Sequence, residues 1–116
     1  MNRLPLEGIR VVDFTLRYQG PYATMMLAHM GAEVIRVESS TAPQPIARDT
    51  AGFQRNNASK RSLALNVKDP RGVKAARALV KISDLFIENY ATGVVERLGL
   101  GYEELRKMKP DIIMLS

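Results

Sequence analysis

Cysteine is absent from this 116-residue sequence. That excludes a disulfide framework and thiol chemistry, and it suits a reducing cytoplasm. Histidine occurs once, at His29, and a lone histidine without cysteine argues against a transition-metal site. No apolar stretch approaches the roughly 20 residues that span a bilayer. The opening MNRLPLEG lacks the apolar core and small-residue cleavage site of a secretory signal. Internal repeats, low-complexity tracts, the P-loop, GxSxG and zinc-ligand patterns are all missing. These absences set the expectation of a cytoplasmic protein with no membrane segment and no metal, long enough for one domain with a modest core.

What is present is organised around residues 8–38. Residues 9–14 form an apolar, β-branched run of strand length that stops at a polar loop. Gly20 and Pro21 open a helix, since proline suits the first turn, where its missing N–H would have no partner. Tyr22, Met25, Met26 and Met30 recur at the spacing of one helical face, and the methionines read as core filler. Gly31 closes the helix, and residues 33–38 follow at once as a second strand. So short an exit implies a right-handed βαβ crossover with parallel strands. The loop 15–20 then lies at the carboxyl end of the first strand, where open α/β sheets bind ligands.

Residues 39–59 show no period and hold Pro43, Pro45 and Gly52, which reads as a long functional or mobile loop. A strand is expected over 62–66, and Asp69-Pro70 is a strong helix start leading to a helix that ends near Ile82. A third strand over 85–88 ends in Asn89-Tyr90. Thr92 is expected to cap a short helix that Gly99 ends, and a helix over 101–109 precedes a last strand over 111–115. The fold class is α/β: a Rossmann-like open parallel sheet with helices on its faces. A strand as final element suggests that the sheet is incomplete and the chain is part of a longer protein.

Charge is unevenly placed. Between Arg55 and Lys81 there are eight basic residues and one acid, +7 in a chain of net charge +5. Such an excess suggests a phosphate-bearing partner. Lys74, Arg77 and Lys81 fall on the outer face of their helix and read as solvated. Lys60, Arg61 and Lys68 lie outside it and are the better phosphate candidates. Asp13, Glu38 and Glu88 stand near carboxyl ends of strands, where two could meet for acid–base work. The plainer reading, that each caps a turn or pairs with a cation, is preferred. A dinucleotide site with Glu38 on a ribose is disfavoured, because GxGxxG is reduced to Gly20 alone. Asn89, Tyr90 and Arg97 surround the end of the third strand, with Tyr18 and Gln19 on the same edge. An aromatic, an amide and a guanidinium there suit a nucleotide-like ligand.

At these residues the chain resembles family III CoA-transferases, the formyl-CoA and carnitine CoA-transferase group. Four stretches carry the likeness in order: PLEGIRVVDFT, QGPYATMMLAHMGAEVIRVES, NNASKRSLALNVKDPRG and SDLFIENYATGVVERLGLGYEEL. The resemblance implies coenzyme A, as an acyl-CoA thioester, and a carboxylic acid acceptor. It places residues 1–116 in the amino-terminal part of a large CoA-binding domain, with the rest of that domain and a small domain outside this chain. It also implies an interlocked homodimer at full length. Tyr18 and Gln19 match residues that touch CoA, Leu65 one beside the adenine, and Lys68 one near the 3′-phosphate. Asn89, Tyr90 and Arg97 match residues along the CoA chain and its phosphates. The family's catalytic group is an aspartate nucleophile in a motif beyond this chain, which neither Asp84 nor Asp111 matches. No catalytic residue is therefore assigned here. Ser39 departs from the formyl-CoA type, which carries arginine there.

Two rivals accompany that reading. An α-methylacyl-CoA racemase shares the fold, but such racemases tend to have proline where this chain has Asn89. A basic nucleic-acid-binding module would normally interleave aromatics with its cations, and residues 55–81 hold one phenylalanine-free, tyrosine-free basic run. The expectation is thus no nucleic acid.

Overall fold

Stiff β-branched side chains favour extended backbone in the first two apolar runs. The computed structural model, which describes residues 3–116, places strands β1 (Arg10–Asp13) and β2 (Glu33–Ser39) side by side and parallel. They are joined through helix α1 (Gln19–His29). Helix α2 (Ala51–Asn56) leads to β3 (Arg61–Leu65), and α3 (Pro70–Lys81) leads to β4 (Leu85–Ile87). Helices α4 (Val94–Arg97) and α5 (Tyr102–Met108) precede β5 (Ile113–Leu115). All five strands are parallel, in the order β3-β2-β1-β4-β5. The chain winds outward from β1 to β3, then returns to the other side of β1. The topological switch therefore falls between β1 and β4, and the crevice at their carboxyl ends is the expected ligand position.

Alternation divides the sheet into two faces. On one, Val12, Phe14, Val37 and Phe86 pack with Ala76 and Val80 of α3, Val95 of α4 and Leu105 of α5. The rings of Phe14 and Phe86 lie 5.1 Å apart. On the other, Val11, Val34 and Ile87 pack with Leu27 and Ala28 of α1. Asp69 caps α3 as expected, its Oδ1 accepting from the Arg71 N–H at 2.8 Å, with Pro70 in first position. Ile113 and Leu115 on the β5 edge are exposed. No helix among the described residues is long and apolar enough to cross a membrane.

Four expectations are corrected. The segment 39–59 contains α2, whose Thr50 hydroxyl accepts from the Phe53 N–H at 3.3 Å; six residues are too few to show a period. The short helix α4 starts from Gly93 in a left-handed conformation (φ +85°), with no side-chain cap from Thr92. On α1, Met25 is buried, but Tyr22, Met26 and Met30 form an exposed stripe, because Thr24, Met25, Leu27 and Ala28 are the inward side. Finally, Arg77 is only partly solvated: its Nε and Nη2 donate to the Gly99 carbonyl at 3.1 and 2.8 Å, closing the end of the α4 turn.

Candidate functional site

The loop after β1 and the loop after β4 are fastened together by one side chain. The Leu16 N–H donates to Asn89 Oδ1 at 2.7 Å, and Asn89 Nδ2 donates to the Leu16 carbonyl at 2.8 Å. Beyond Leu16 the backbone turns left-handed at Arg17 (φ +68°) and enters α1. That helix has neither a side-chain N-cap nor an acid in its first turn. Its first N–H groups are therefore left to solvent or to a ligand.

Beside this junction a cleft of about 260 Å³ runs over the carboxyl ends of β2 and β3. Leu16, Pro43, Pro45, Val67, Val94 and Leu98 give it apolar walls, and Gln44, Asn66, Lys68 and Tyr90 supply polar groups. No carboxylate lines it. A smaller recess lined by Phe14, Leu65, Tyr90 and the arginine-paired Glu38, among others, continues it towards the core. Burial pushes the Tyr90 phenol above its ordinary value, and the Glu88 carboxylate nearby adds to the effect. Such a site suits a ligand with an apolar or flat body that carries negative charge or hydrogen-bond acceptors.

The structure brings some predicted residues together and separates others. Lys68 and Tyr90 line the cleft, Leu65 lines the adjoining recess, and Asn89 ties its floor. Arg97 is exposed on α4 between the cleft residues Val94 and Leu98, with its guanidinium against Gly93. Tyr18 and Gln19 sit at the start of α1, both exposed, with the Tyr18 ring turned towards Gly52 of α2. They adjoin the β1 loop but do not line the cleft. Gln44 lines it and carried no signal in sequence, since it lies in a stretch without periodicity.

Two of the three phosphate candidates are otherwise engaged. Lys60 is almost wholly buried, and its Nζ donates to Asp13 Oδ2 at 3.1 Å, the Pro21 carbonyl at 2.9 Å and Asn57 Oδ1 at 3.1 Å. All three ammonium hydrogens have acceptors. Burial still pushes the Lys60 ammonium below its ordinary value, with Asp13 opposing the shift. Arg61 opens β3 at the opposite rim and pairs with Glu33 at 2.6 Å. Lys68 alone of the three faces the cleft.

The three carboxylates also have partners, as the plainer reading held. Asp13 accepts from the Thr15 N–H at 2.8 Å and the Thr24 hydroxyl at 2.6 Å as well as from Lys60. Glu38 pairs with Arg36 and Arg48, and both guanidinium groups stack on the Phe53 ring at 4.9 and 5.4 Å. Glu88 accepts from the Tyr90 N–H at 2.7 Å. A larger groove, about 560 Å³, lies along α3 and α5 between Val73, Lys74, Lys81 and Met108. None of Tyr18, Gln19, Leu65, Lys68, Asn89, Tyr90 and Arg97 lines it.

With this geometry in place, likeness to known proteins decides the family. The sequence matches the family described as CoA-transferase family III across residues 6–116. The chain belongs to CoA-transferase family III. Succinyl-CoA:glutarate CoA-transferase from Mus musculus is 43% identical over 120 residues, covering 97% of this chain and 28% of the relative. Formyl-CoA:oxalate CoA-transferase from Afipia carboxidovorans is 38% identical over 120 residues, covering 96% and 28% respectively. Among solved structures, Rv3272 from M. tuberculosis superposes with a TM-score of 0.88 at 35% identity, over 95% of this chain and 31% of that one. The chain thus spans 28% of the length of these two curated relatives and corresponds to the family's amino-terminal region.

Proposed function

We propose that residues 1–116 form the amino-terminal part of a CoA-binding domain in an acyl-CoA:carboxylate CoA-transferase that works as an interlocked homodimer at full length. The observation that carries this reading is the acid-free cleft at the switch-point rim, with Lys68 on one wall and Tyr90 on another. Lys68 takes the 3′-phosphate, and Leu65 borders the adenine. Tyr90 covers the apolar arm, and Arg97 holds a phosphate oxygen from the edge. Asn89 keeps the two loops in register; each of its amide atoms retains a further hydrogen-bonding position for the ligand. Tyr18 and Gln19 contribute at the start of α1, where exposed N–H groups favour an anion.

The chemistry is nucleophilic. A carboxylate attacks the thioester of acyl-CoA to give a mixed anhydride and free thiolate. The thiolate then attacks the enzyme-side carbonyl of the anhydride, giving an enzyme thioester and releasing the donor acid. The acceptor carboxylate attacks that thioester to form a second anhydride and free the thiolate, which attacks the acceptor carbonyl to give the new acyl-CoA and restore the enzyme carboxylate. Dividing the transfer in this way lowers each barrier. The attacking aspartate lies outside this chain in this reading. Asp84 and Asp111 precede β4 and β5, at the rim opposite the cleft, and both are engaged. Asp84 accepts from the Arg10 N–H at 2.9 Å, and Asp111 pairs with Lys109 at 2.6 Å.

Titration calorimetry with CoA and 3′-dephospho-CoA tests the binding role. Lys68→Ala should weaken CoA about tenfold, the loss of one charge-assisted hydrogen bond, and leave dephospho-CoA nearly unaffected. Equal affinity of the unmodified protein for the two ligands would remove the 3′-phosphate assignment.

A further inference from the structure

Gln44 sits between two prolines, Pro43 and Pro45, in the loop that crosses the end of β2. Proline fixes its own φ and restricts the residue before it, so this backbone has few alternatives. The Gln44 side chain is held as well. Arg36 Nη2 donates to Gln44 Oε1 at 2.7 Å. Arg36 is itself buried on β2, paired with Glu38 and stacked on Phe53, so its guanidinium has little freedom to swing.

This contact fixes which way the amide points. A guanidinium has donors and no acceptor, so the atom facing it is the oxygen. The Gln44 NH₂ is consequently the end left over, and it has no hydrogen-bond partner among the described residues. Gln44 lines the cleft. Two neighbouring polar groups have the same character: Asn66 uses its Oδ1 on the Lys68 N–H at 3.1 Å, which leaves its NH₂, and Lys68 brings an ammonium; the Ser39 hydroxyl oxygen is already taken by the Thr41 and Ala42 N–H groups. The cleft therefore offers donors and lacks an ionised acceptor.

We infer that Gln44 is a specificity-determining residue which donates a hydrogen bond to an acceptor atom of bound CoA, with Arg36 holding its amide in that orientation. The inference rests on the CoA reading above and adds a contact to it. An amide pre-set in this way loses little freedom when the ligand arrives, so the contact favours affinity and rejects ligands that present a donor.

The test is calorimetry on the full chain with CoA, 3′-dephospho-CoA and pantetheine, using Gln44→Glu, Gln44→Met and Lys68→Ala. Glutamate keeps an oxygen for Arg36 but replaces the donor with an anionic acceptor. It should weaken CoA more than tenfold without lowering the melting temperature. Methionine keeps the length and removes the donor, and should weaken CoA about threefold to tenfold. A penalty that persists with pantetheine puts the acceptor on an amide carbonyl. One shared by CoA and dephospho-CoA alone puts it on the adenine or diphosphate, and one confined to CoA puts it on the 3′-phosphate. Unchanged CoA affinity in both Gln44 variants, with Lys68→Ala weakened, overturns this inference and leaves the CoA reading standing. Failure of the unmodified protein to bind CoA overturns both.

Discussion

Under α3, α4 and α5 the sheet is sealed by Phe14, Val80, Phe86 and Leu105, each nearly or wholly inaccessible. Under α1 and α2 the carboxyl half of the same sheet encloses Asp13, Lys60, Arg36 and Glu38. The first face gains stability directly, because apolar area leaves water. The second gains little from its charges, since removing ions from water offsets most of their attraction. What the charged face adds is position. Lys60 fastens the end of β1, the first turn of α1 and the end of α2 to one point, and Arg36 reaches from β2 to Gln44 at the cleft. One face holds the domain together; the other sets where its loops stand.

Four measurements would break or sharpen that contrast. Phe86→Ala removes a fully buried ring and should destabilise the chain by about 4 kcal/mol in urea unfolding. Lys60→Met leaves Asp13 buried without its cation and should cost about 3 kcal/mol. A cost under about 1 kcal/mol would mean that the pair is dispensable to the fold, against the range for broken buried pairs. Gly72→Ala tests the seam between the sealed face and the cleft. An added Cβ would lie 1.9 Å from the Asn66 carbonyl oxygen, so α3 has to move away from the Asn66–Lys68 turn. The expected loss is about 2 kcal/mol, accompanied by weaker CoA binding.

The smallest effect is in pH dependence. The Lys60 ammonium lies below its ordinary 10.5 in the fold, so between that lowered value and 10.5 the unfolded chain holds the extra proton. Its contribution to stability rises with pH across that window. Tyr90 has the opposite sign: its phenol is held above 10.0, so the folded chain keeps the proton longer and stability falls as pH climbs past 10.0. Chemical unfolding from pH 8 to 11 should show Lys60→Met without the rise and Tyr90→Phe without the fall.

The sealed face was legible in sequence because its signals are local. Val73, Ala76 and Val80 recur at helical spacing, and Asp69-Pro70 marks where that helix starts. The charged face was not, because Lys60 and Asp13 are 47 residues apart and no periodicity links them. From sequence Lys60 therefore reads as a phosphate ligand, whereas in the fold its ammonium is spent on Asp13, Pro21 and Asn57. The cleft was half legible: Lys68 and Tyr90 stand at strand ends that the βαβ pattern identifies, and the resemblance picked out both. Gln44 was invisible, since its importance comes from Arg36, which side-chain alternation hides on the opposite face of β2. Tyr22, Met26 and Met30 show a further limit, because a stripe of apolar residues reveals a helix without saying which side meets the sheet.

The three-point hold on Lys60 also orders events during assembly. Its acceptors come from β1, from α1 and from the end of α2, so an ammonium entering before all three have gathered would shed water with nothing to replace it. If closure around Lys60 falls on the native side of the folding barrier, Lys60→Met should speed unfolding far more than it slows folding, which stopped-flow unfolding and refolding would read. Contacts made that late govern how quickly a domain comes apart far more than how quickly it forms. In that case the lysine is a latch on the lifetime of the folded domain.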